Sequence, residues 1–85
     1  MRKKDLADKL LEIVNEEYEK LRENNNNFSV IRKYAEEFDN KMENDPYFNV
    51  SVCECAKRRG DMYDSDRECA AFALGFERFK KEILK

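Results

Sequence analysis

The chain has 85 residues, 17 basic and 19 acidic, for a net charge of −2, with 41% apolar and 42% charged residues. That is enough for one domain around one modest core, and the mixture is too apolar for a disordered chain and too charged for a membrane-embedded one. Histidine is absent, which removes the usual general base and the commonest metal ligand, and two glycines and one proline give little support to a sandwich, a barrel or a phosphate-cradling glycine loop.

The first predicted element is a helix from about Lys3 to Glu23. Leu6, Leu10, Ile13, Val14, Tyr18 and Leu21 recur at steps of three and four and make one apolar stripe. The run Asn24-Asn25-Asn26-Asn27 follows and reads as a connecting loop, since asparagine is a poor helix former that tolerates left-handed backbone. A second helix is expected from about Ser29 to Glu43, with Ile31, Tyr34, Ala35, Phe38 and Met42 on its inner face and Asn27 or Ser29 as its cap. Joined by a short polar loop, the two helices should pack as an antiparallel hairpin.

The third segment is ambiguous. Asp45 before Pro46 suits a helix start, Phe48, Val52, Cys55 and Ala56 share a helical face, and Gly60 suits a left-handed C-cap. The alternation of Phe48, Val50 and Val52 would equally suit a strand. Helix is preferred, because no other segment alternates and a lone strand has no partner. The last helix opens on the capping box Ser65-Asp66-Arg67-Glu68 and continues through Cys69, Phe72, Ala73, Phe76, Phe79 and Ile83, with Lys80, Lys81 and Lys85 near its end. Gly75, beside the stripe, suggests close approach of a neighbouring helix. The expected architecture is an all-α, single helical domain over residues 1–85: a bundle of three to four helices, built from the hairpin and the C-terminal amphipathic helix.

The chemistry-bearing residue types argue mostly against an enzyme. Cys53, Cys55 and Cys69 lack the C-x2-C spacing and the fourth ligand of a structural zinc site, so no metal and no cofactor is expected. Cys55 and Cys69 read as small buried residues and Cys53 as a partly exposed thiol. A nucleophilic Cys or Ser has no histidine to activate it, so no catalytic residue is assigned. No stretch is long and apolar enough for a membrane span, no export signal is visible, and free cysteines suit a reducing cytoplasm.

What remains is surface. The acids Glu36, Glu37, Asp39 and Glu43 of the second helix, with Tyr47 and Tyr63 as rim anchors, form the candidate partner-binding face. Phe28, Tyr47, Phe48 and Tyr63, together with Met42 and Met62, either seal the bundle ends or form an apolar interaction patch. Lys57, Arg58 and Arg59 form an alternative patch for an anionic partner, although cations also suit a helix C-terminus with no ligand at all. The leading expectation is a non-enzymatic protein-binding or inhibitory module that occludes a host or cellular protein. Its size and composition, rich in Lys and Asn as AT-rich genomes favour, suit a phage- or mobile-element-encoded inhibitor of a host enzyme or defence system, of the anti-CRISPR type. One alternative is a small nucleic-acid-associated regulator using Lys57, Arg58, Arg59, Arg67 and Lys80. Another is an oligomer that sequesters a small anionic signal.

Overall fold

A computed structural model describes residues 3–23 and 28–83 and shows an all-α bundle of four helices with no strand among those residues. They are α1 (Lys3–Glu23), α2 (Phe28–Asn44), α3 (Pro46–Arg59) and α4 (Asp66–Glu82).

Local chemistry sets the ends of α3 and the start of α4. Asp45 accepts a hydrogen bond from the Phe48 amide at 3.1 Å, and Pro46 occupies the first turn, where its missing N–H is no loss. Gly60 closes α3 in the left-handed region at φ 78°, with its amide donating to the Ala56 carbonyl at 2.9 Å. The third segment is therefore a helix. Its Phe48, Val52, Cys55 and Ala56 are buried, whereas Val50 points to solvent, so helical spacing and not strand alternation decides which side chains enter the core. In α4, Ser65 accepts from the Glu68 amide at 3.2 Å and Glu68 accepts in return from the Ser65 amide at 3.4 Å, the reciprocal capping box. Ser29 lies inside α2, so it is not the cap expected of it, and Asn27 lies outside the described residues together with the rest of the asparagine run.

The packing differs from a simple hairpin. α1 and α2 barely meet; each packs extensively on α4, which lies between them. Leu21 near the end of α1 and Ile31 near the start of α2 converge on Ala70 and Ala71 near the start of α4. α1 thus runs against α4 and α2 runs with it, so the first two helices keep opposite senses but are bridged, not mated. The physical reason is the width of the apolar surface on α4. Cys69, Ala70, Ala71, Phe72, Ala73, Gly75, Phe76 and Phe79 are all buried, which covers more than one face of a helix. Small residues bring α1 close: a Cβ on Gly75 would stand 2.8 Å from Val14 Cγ2 and 3.0 Å from Val14 Cα, the close approach its position suggested.

α3 closes the bundle over one aromatic cluster. The Phe48 ring lies 5.4 Å from Phe38, 5.3 Å from Phe72 and 4.9 Å from Phe76, each edge-on. Lys41 covers this cluster from α2. Its ammonium sits 5.8 Å from the Phe48 ring and donates to Glu77 of α4 at 2.6 Å. No helix among the described residues is long and apolar enough to cross a membrane.

Candidate partner-binding surface

The acids of α2 divide between two faces. Glu36, Asp39 and Glu43 are exposed and fall at steps of three and four, so they line one outer stripe of the helix. None of the three makes an ion pair among the described residues. Glu37 leaves the stripe: it is half-buried and 4.0 Å from the Lys41 ammonium, which is held mainly by Glu77. That hydrogen bond from Lys41 holds the Glu77 carboxyl below the usual carboxylate range.

The two expected tyrosine anchors have different fates. Tyr47, just past the end of the acidic stripe, is 51% exposed, its ring tilted against Phe76 at 5.8 Å. Tyr63 is only 7% exposed and is not a rim anchor. Its ring packs edge-on against Phe72 at 5.1 Å, and the Arg59 guanidinium lies 4.3 Å above its face. Burial pushes the Tyr63 phenol up to about 12, with the Arg59 charge pulling the other way. Phe48 is likewise core, whereas Phe28 and Met62 are exposed and Met42 is half-buried against the core. The aromatics near the connections therefore do not merge into one patch.

The basic cluster is largely spent inside the molecule. Arg58 pairs with Asp8 of α1 at 3.0 Å, and Arg59 pairs with Glu68 of α4, which holds the Glu68 carboxyl below its ordinary value. Lys57 is exposed and makes no ion pair among the described residues. Lys80 lies 3.8 Å from Glu77 and over the Phe76 ring at 5.4 Å. Arg58 and Arg59 hold helix to helix, a role that a linear reading of Lys57-Arg58-Arg59 does not reveal because their partners lie 50 and 9 positions away.

Cys55 and Cys69 are buried and Cys53 is exposed. Burial pushes the Cys55 and Cys69 thiols up to about 11, the reverse of what a reactive thiolate needs. No group of three or more His, Cys, Asp or Glu side chains among the described residues is arranged to hold a metal ion.

One surface feature escaped the sequence. A groove of about 430 Å³ runs between α1 and α3, walled by Leu6, Leu10, Tyr47 and Val50 with Glu54 and Arg58 at its edge. Val50, 50% exposed, was the available signal: it alternates with buried neighbours in the sequence yet lies off their helical face. No protein family, curated protein or solved structure matches the chain.

Proposed function

We propose that the protein is a non-enzymatic binding module that occludes a basic surface of a partner protein with the outer stripe of α2. The observation that carries this reading is the contrast between charges. Glu36, Asp39 and Glu43 lie exposed with no cation paired to them among the described residues, whereas Arg58 and Arg59 are paired internally. Unpaired carboxylates on a rigid helix attract a basic groove without first breaking an internal contact, and they speed encounter at low salt. Tyr47, next along the chain, adds an amphipathic ring of the kind that anchors interfaces. The small size and the Lys- and Asn-rich composition extend the reading to an inhibitor of a host enzyme or defence system, of the anti-CRISPR type, encoded by a phage or mobile element.

The test compares affinity capture by the intact chain with capture by a variant carrying Glu36→Lys, Asp39→Lys and Glu43→Lys. A partner held by the parent, released by moderate salt and lost by the variant supports the proposal. Recovery of the same proteins by both chains, or of none by the parent, overturns it. Circular dichroism should be identical, since all three positions are exposed.

A further inference from the structure

A second surface has the opposite charge logic. A cleft of about 900 Å³ opens between the first turns of α2 and α4, lined by Phe28, Arg32, Lys33 and Glu36 on one side and Asp66 and Arg67 on the other. Its volume lies in the upper range of small-molecule sites. Arg32, Lys33 and Arg67 make no ion pair among the described residues, unlike Arg58, Arg59, Lys41 and Arg78, each of which is matched to a carboxylate. Arg67 Nε is buried and has no hydrogen-bond partner among the described residues, although a guanidinium N–H withdrawn from water needs an acceptor. Phe28, 75% exposed at the lip, adds a flat apolar face.

We propose that this cleft binds a nucleoside phosphate. The phosphate pairs with the terminal nitrogens of the Arg67 guanidinium and draws on the positive charge of Arg32 and Lys33, since guanidinium and phosphate match in geometry and charge. The base stacks on Phe28, as bases do on exposed aromatic rings beside cations. Glu36 and Asp66 on the walls accept from hydroxyl and amino donors of the same ligand. The capping box engages the Ser65 and Glu68 amides, and the assignment places the anion on side chains. The assignment is independent of the protein-binding stripe, with which it shares only Glu36.

Isothermal titration calorimetry of the full chain at low salt tests it, with ADP, inorganic phosphate and adenosine as separate probes. ADP should bind saturably, and each of the other two should bind at least tenfold more weakly, because each offers only half of the recognised chemistry. Arg67→Gln, Arg32→Ala and Phe28→Ala should each weaken ADP about tenfold. Lys57→Ala, outside the cleft, should change nothing. Arg32 and Phe28 are exposed, so their variants keep the fold even where Arg67→Gln does not, and circular dichroism checks each. The proposal is overturned by the absence of saturable ADP binding at millimolar concentration, or by phosphate binding as well as ADP. Parental affinity in the Arg32 and Phe28 variants, or an equal loss in Lys57→Ala, overturns it as well.

Discussion

Helices α4 and α3 are held in place by different physics. α4 is wedged between two neighbours, with eight buried positions, four of them alanine or glycine, that let α1 and α2 come close. α3 turns one face inward, through Phe48, Val52, Cys55 and Ala56, and shows Tyr47 and Val50 to solvent. Its two ends are fixed by residues adjacent in sequence, Asp45, Pro46 and Gly60. The lesson is that tertiary packing supplies what local signals cannot in α4, while local signals supply what packing does not in α3. Few helices of this length are stable by propensity alone. α4 therefore depends on complementarity of shape on two sides, and α3 on its caps, one buried face and the Arg58–Asp8 and Arg59–Glu68 pairs.

Removing bulk from α4 should produce the largest effect. Phe72 is fully buried and touches the rings of Phe38, Phe48 and Tyr63. Phe72→Ala should cost about 3–5 kcal/mol in urea unfolding, because several rings lose a partner at once and cannot all collapse into the gap. Val50→Ala on the outer side of α3 should stay within about 0.5 kcal/mol. Equal losses at the two positions would mean that α3 is covered on both sides.

Adding bulk to α4 ranks next. Alanine is the better helix former by about 1 kcal/mol, yet Gly75→Ala should be destabilising by about 1–3 kcal/mol net. The new methyl meets Val14 Cα at 3.0 Å as well as its side chain, so rotamer change alone does not relieve it and α1 must shift. A neutral or stabilised variant in thermal unfolding would show that α1 slides freely along α4.

The same contrast explains what the sequence discloses. Element boundaries were legible wherever a short-range signal exists: the apolar stripe from Leu6 to Leu21, the Asp45-Pro46 start, Gly60 and the Ser65–Glu68 box all act within one or two turns. The direct mating of α1 with α2 was not legible as false, because two stripes that could face each other also fit a third helix placed between them. Only the buried alanines Ala70 and Ala71, which widen the apolar surface of α4 beyond one stripe, hint at that arrangement. Surface roles failed for the same reason. Tyr63 sits in a connection, where exposure is the ordinary outcome, but the Arg59 guanidinium covers it, and Arg59 is drawn there by Glu68 from a different helix. In contrast, Glu36, Asp39 and Glu43 were legible as exposed, since a periodic polar stripe opposite a buried one has nowhere else to point.

Local control of α3 predicts a smaller loss at its cap. Asp45→Ala removes the acceptor for the Phe48 amide and should cost about 1 kcal/mol. The loss should appear as faster amide exchange in the first turn of α3, with α4 unchanged. Exchange that rises equally in both helices would place the cap inside the global folding unit and erase the distinction.

Thiol labelling of the unmutated protein probes the comparison with the least disturbance. Cys53 and Cys55 stand two residues apart on α3, one exposed and one buried, while Cys69 is buried on α4. The Cys55 sulfur faces the Ala7 carbonyl oxygen at 3.9 Å, and the Cys69 sulfur faces the Tyr63 carbonyl oxygen at 3.4 Å. Burial raises both thiols to about 11, so near neutral pH each must be freed from its surroundings before it reacts. A maleimide followed by mass spectrometry should therefore modify Cys53 at once. Cys55 should follow through detachment of α3, a local opening that leaves the α1–α4–α2 packing standing. Cys69 should react last, at the rate of global unfolding, because α4 is not released while either neighbour remains. Loss of the same rate difference in mild urea is expected as global opening overtakes the local route. Equal rates for Cys55 and Cys69 in water would show instead that α3 leaves only when everything does, and that one buried face, two caps and two ion pairs hold it as firmly as two neighbours hold α4.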